Sequence, residues 1–196
     1  MDYRERTLRN LAITRGYQYT AGDEQGLATK LRDFRLTAQG GSRTIAHVLR
    51  KQHGLREYDV SLFDYGYLDY ATRYRSQQTV LFLESQQLGL PVLRLQPETI
   101  LHKLGELFGL DDIDFVRFPK FSSQYRLTGE DEDFIRHHFT DEVLNYFTLH
   151  KGWSLEGIGY YLILYKKGLL LPPDQLDALY DKGHQVFRLL STTAVD

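Results

Sequence analysis

Hydrophobic and polar positions along the 196 residues change period several times, and those changes divide the chain into elements. In the opening stretch, Tyr3, Leu8, Leu11 and Ala12 recur at close to 3.6 residues, with Arg4, Glu5, Arg6 and Arg9 mostly on the other sides. This spacing predicts a basic amphipathic helix over 1–16, closed by Gly16. Tyr17–Thr20 then alternates as a short strand, and Leu27, Leu31 and Phe34 predict a helix over 23–34. Gly40-Gly41-Ser42 breaks the chain, and from Arg43 the period falls to two.

Thr44–Arg50 and Tyr58–Tyr70 read as a hairpin around His53-Gly54. In its second strand Tyr58, Val60 and Leu62 share one face, and Phe63, Tyr65 and Tyr67 share the other, so both faces are expected to be covered. A further strand is predicted over Gln78–Glu84, and an edge strand over Leu90–Leu95 because Pro91 has no N–H for a central ladder. Pro97-Glu98 opens a helix with Ile100, Leu101, Leu104, Leu107 and Phe108 on one stripe and Gly109 as its stop. Gln124–Thr128 reads as a strand and Thr128-Gly-Glu-Asp131 as a capping box. The helix that follows from Glu130 carries Phe134, Ile135, Phe139, Val143, Tyr146 and Phe147, has Lys151-Gly152 as its stop and can restart at Thr140. Trp153–Lys167 is predicted to be a second hairpin turning at Gly157-Ile-Gly159, and Leu171-Pro-Pro-Asp174 starts a last helix striped by Leu176, Leu179, Val186, Phe187 and Leu190. Strands follow strands and helices cap them, which points to one α+β domain over 1–196, with antiparallel hairpins packed on four to five helices.

Composition narrows the functions open to such a domain. No Cys is present, which excludes disulfides, thiolate nucleophiles and Cys-ligated zinc. No apolar run approaches the roughly 18–20 residues of a spanning helix, and the start lacks the apolar core of a signal peptide. A net charge of −2 hides an asymmetry: residues 1–56 carry 11 basic and 5 acidic side chains (+6), and residues 57–196 carry 13 and 21 (−8). This division suits either an anionic partner at the basic end or an internal docking of opposite charges.

The sequence carries no catalytic signature. Gly40-Gly41-Ser42-Arg43 is the nearest approach to a phosphate loop, but it lacks the Lys and the strand-before, helix-after setting. Of seven His, none falls in a His-x-x-x-His or His-Glu-x-x-His spacing, and the adjacent His137 and His138 diverge by about 100° on a helix. Asp112 and Asp114 fall on one side of an extended stretch with Ile113 and Phe115 on the other. These four residues, Asp112, Asp114, His137 and His138, are the candidates for a small hydrolase or metal-dependent enzyme. No metal site and no cofactor is expected. A local nucleic-acid-binding module would use Tyr67, Tyr70, Arg73, Tyr74 and Arg75 with the basic first 56 residues, although a pI near 6.4 limits it to a patch.

Leu11–Tyr19, Thr44–Leu49, Leu62–Tyr67, Leu95–Glu98, Asp112–Phe115, Phe121–Leu127 and Gly129–Asp131, taken in order, resemble an uncharacterised bacterial domain family whose members follow N-terminal membrane helices. The resemblance implies a basic juxtamembrane start, which the Arg-rich first helix matches, and no catalytic residue or cofactor. The leading expectation is a non-enzymatic binding or scaffolding domain at the cytoplasmic face of a membrane. Its partner would be an anionic membrane surface or a protein, met by Arg4, Arg6, Arg9, Tyr67, Arg73 and Arg75.

Overall fold

The computed structural model describes residues 2–54, 57–98 and 112–191. The strands β1 (Gln18–Gly22), β2 (Gly41–His53), β3 (Tyr58–Leu68), β4 (Arg75–Glu84), β5 (Leu90–Pro97), β6 (Tyr125–Gly129), β7 (Ser154–Gly159) and β8 (Tyr161–Tyr165) form one eight-stranded sheet, ordered β1-β2-β3-β4-β8-β7-β5-β6. Every pairing is antiparallel. The helices among the described residues are α1 (Tyr3–Arg15), α2 (Leu27–Lys30), α3 (Arg35–Ala38), α4 (Pro119–Ser122), α5 (Glu132–His138), α6 (Asp141–Leu149) and α7 (Leu176–Leu190). The fold is the expected α+β class.

Alternation decides which side chain meets which layer. Tyr58, Val60 and Leu62 join Leu8 of α1, Val143 of α6 and the α7 stripe in one large core. Phe63, Tyr65 and Tyr67 join Leu27, Leu31, Phe34 and Leu36 in a second core across the sheet. Both faces of β3 are therefore covered, as its pattern of bulk predicts.

Several local expectations give way to tertiary contacts. The helix predicted over 23–34 is confined to α2: the Asp23 carboxylate accepts from the Leu27 and Ala28 N–H groups, and Thr37 Oγ1 donates to the carbonyls of Leu31 and Phe34. Phe34 turns extended and buries its ring before α3 begins. β5 is interior, paired to β6 and β7, so Pro91 does not mark an edge. Pro91 instead lies in a register shift between Leu90 and Leu93, where the ladder is already interrupted. The cap of α5 is Asp131, which accepts from Phe134 N at 2.9 Å, and not a box begun at Thr128. The long helix after it breaks at Phe139 into α5 and α6, at the restart read at Thr140. Gly157 lies within β7 against Leu90, which leaves Gly159 (φ +57°) to make the turn. Tyr3 points to solvent, 81% exposed, so Leu8 and Ala12 carry the buried side of α1. The helix predicted from Pro97 to Gly109 falls largely on 99–111, outside the described residues.

Candidate functional site

The basic start is partly consumed inside the molecule. Asp2 caps α1 through Glu5 N, and Gly16 ends it in the left-handed conformation. With Leu8 and Ala12 fixed on the sheet, the Arg4 guanidinium reaches Asp64 of β3 with two bonds of 2.6 and 2.7 Å and donates a third to the Leu171 carbonyl. Asp64 is 8% exposed, so the bridge is sheltered from solvent. Arg4–Asp64, Arg15–Asp177, Lys30–Glu84 and Arg50–Asp59 all join the positive first 56 residues to the negative remainder. Internal docking of opposite charges thus accounts for much of the asymmetry. We expect Arg4→Ala to destabilise the fold by about 2 kcal/mol, because it leaves a sheltered carboxylate without its fork. Urea denaturation of the two proteins checks this.

Arg9 pairs with Glu5 one turn earlier and lies 4.5 Å from the centre of the Tyr19 ring. Arg6 is exposed. On the β3–β4 turn Arg73 adopts a positive φ of 60° and is exposed, beside Tyr70 and Tyr74, which are also exposed. Arg75 reaches over Gly66 to Thr44 Oγ1. Gly66 stands two residues from Asp64 on the same strand face, so Arg75 and Arg4 come to one end of the α1 side of the sheet. Tyr67 departs from its expected role: it is 2% exposed and its hydroxyl donates to Gln39, so it cannot serve as a surface aromatic.

The enzyme candidates do not converge. Asp112 accepts from Leu127 N at 3.1 Å, and partial burial pushes its carboxyl up. Asp114 is exposed, and Ile113 between them is buried, which is the alternation expected of the segment. His138 stacks on Phe134 with 3.9 Å between ring centroids and bonds the Phe134 carbonyl through Nδ1. The His137 ring is turned 69° from it. Among the described residues no three His, Asp or Glu side chains gather as a metal site would need.

The most developed polar environment lies on the α3 side of the sheet and was not singled out from sequence. Glu156 of β7 is 3% exposed. One of its oxygens takes the Tyr165 hydroxyl at 2.8 Å and the Leu36 N–H at 3.1 Å, and the other takes the Arg35 N–H at 2.7 Å. A strand carboxylate thereby caps a helix 120 residues away in sequence. Burial pushes the Glu156 carboxyl up, opposed by the Arg94 charge and by these donors, and it pushes the Tyr165 phenol well up too. Arg94 is the cross-strand partner of Glu156 in the β5–β7 ladder. Beside this pair opens a cleft of about 360 Å³, walled by the end of α3, the β3–β4 turn and Lys167. The available signal was Ser154 and Glu156 at alternate positions of an otherwise apolar strand, but the partners of Glu156 on β5, β8 and α3 are set by pairing over long range.

No protein-family model matches the chain, and no curated protein matches it in sequence. In structure it is similar to the crystal structure of the mycobacterial trehalose monomycolate transport factor A, TtfA. The TM-score is 0.65 at 14% identity, over 96% of this chain and 93% of that one. The two chains share a fold across nearly their whole lengths. Among the described residues no helix is long and apolar enough to cross a membrane.

Proposed function

We propose that this chain is a non-enzymatic binding domain serving a transport process at the cytoplasmic face of a membrane. The observation that carries the reading is the fold shared with a transport factor over 96% of the chain. Support comes from Arg6 and Arg73, exposed cations outside the internal bridges, and from Tyr70 and Tyr74 beside Arg73. Basic side chains gain about 1 kcal/mol each at an anionic leaflet, and Tyr rings favour its headgroup level.

Co-sedimentation with phosphatidylglycerol vesicles at low salt tests this reading. The double variant Arg6→Gln, Arg73→Gln should lose about 2 kcal/mol of partitioning, roughly a 30-fold drop. Both side chains are exposed, so its melting temperature should stay that of the parent. Equal partitioning of parent and variant would count against a role for these residues at a membrane.

A further inference from the structure

We propose that the cleft beside α3 is an oxyanion site, in which the Arg94 guanidinium receives a phosphate or carboxylate group. Arg94 projects from the interior strand β5 on the same sheet face as Glu156, and the two are register partners. That carboxylate draws its hydrogen bonds from other donors: the Arg35 and Leu36 N–H groups and the Tyr165 hydroxyl. Glu156 therefore offsets the Arg94 charge without binding its fork. The Nε of Arg94 is buried and has no hydrogen-bond acceptor among the described residues. A guanidinium carries five N–H donors and no acceptor, and a donor withdrawn from water without a partner is unfavourable. An oxyanion is the acceptor that a guanidinium matches best, in a planar, two-point geometry.

Basic residues are prominent in the lining. Arg35 and Lys167 line the same cleft, so three cationic side chains border it. Its acidic lining residue, Asp69, turns Oδ1 back to the Ala71 and Thr72 N–H groups of its own turn at 2.8 and 3.2 Å. Tyr67 and Tyr70 also line the cleft. A volume of about 360 Å³ exceeds what a lone phosphate fills and lies at the small end of organic-ligand pockets, which suits a phosphate or carboxylate carried on a small organic body. The cleft and α1 lie on opposite faces of the sheet, while the β3–β4 turn that walls the cleft also carries Tyr70 of the membrane reading. Substitution of Arg94, which that reading does not use, separates the two.

Titration calorimetry with two probes tests the proposal: inorganic pyrophosphate, and short-chain phosphatidic acid below its micelle concentration. Saturable binding of either is expected, weakened roughly tenfold to a hundredfold by Arg94→Ala, since hydrogen bonds to a charged group are the stronger kind. Pyrophosphate alone would assign the site to a free oxyanion metabolite, and phosphatidic acid alone to a lipid headgroup. Lys167→Met, placed at the rim, should weaken binding in the same sense and serves if Arg94→Ala does not fold. Absence of binding by both probes, or binding that both variants leave intact, would overturn the proposal.

Discussion

Replacing Glu156 by alanine is expected to remove about 3–5 kcal/mol of stability, the range for stripping one partner from a buried charged network. The carboxylate is the acceptor for two N–H groups of α3 and for the Tyr165 hydroxyl, and it is the counter-charge facing Arg94. Alanine leaves all of these without a partner in a dry environment, together with a void where the side chain stood. Glu156→Gln keeps the shape and one acceptor oxygen but turns an N–H₂ group towards an N–H donor, and about 1–3 kcal/mol is expected from it. Guanidinium denaturation followed by circular dichroism would rank the three proteins.

The pH dependence of that ranking has a definite sign. The folded-state pKa of Glu156 lies above its ordinary 4.5, so the folded protein holds the proton more tightly than the unfolded chain. The contribution is therefore fully present below pH 4.5 and is lost as pH rises through the folded-state value. Relative to Glu156→Gln, the parent should lose stability as pH is raised from about 4.5. A gap that widens in the parent's favour over that rise would contradict the raised pKa.

Gly40→Ala should cost about 3 kcal/mol, through two effects that a second glycine separates. Gly40 has φ +61°, and a Cβ built there would stand 2.2 Å from the Leu68 carbonyl oxygen and 2.6 Å from Tyr67 Cδ2. The first of these is backbone in the β3 ladder and cannot swing aside. Gly16, which ends α1 at φ +72°, has open space around its Cβ position. Gly16→Ala carries only the left-handed backbone term, about 1–2 kcal/mol. The difference between the two substitutions measures how tightly the chain entering β2 is pressed on β3 at the cleft. Equal thermal shifts for the pair would show that the entry yields.

These two residues also show where the sequence was legible. Gly40 was visible as a chain break, because a glycine pair between a helical and an alternating stretch punctuates locally. What it is pressed against comes from a strand almost 30 residues later. Periodicity identified α1, the α7 stripe and the two-faced burial of β3, since each depends on spacing within one element. Pro91 misled because a local rule about missing N–H groups knows nothing of a bulge that excuses one. Thr128 misled in the same way, with Asp131 better placed to accept from Phe134 N.

The candidate site was legible in its surface cations and not in its buried carboxylate. Arg6 and Arg73 are exposed, and their exposure follows from local polarity. Arg4 was read from the same pattern, yet Asp64 takes it inward, and Tyr67 is buried by the arrival of Gln39 and the α3 turn. Glu156 looked like an ordinary strand polar residue. Its significance arises only when β7 pairs with β5 and β8 and the N–H groups of α3 come down on it.

Attraction to an anionic membrane surface is the central expectation for this domain, and sedimentation of the unaltered protein with vesicles tests it most directly. Phosphatidylglycerol vesicles should pellet the protein at low salt and release it near 0.5 M salt, where screening shortens to about 4 Å, while phosphatidylcholine vesicles should leave it in the supernatant. Equal behaviour with the two lipids at every salt concentration would contradict the account.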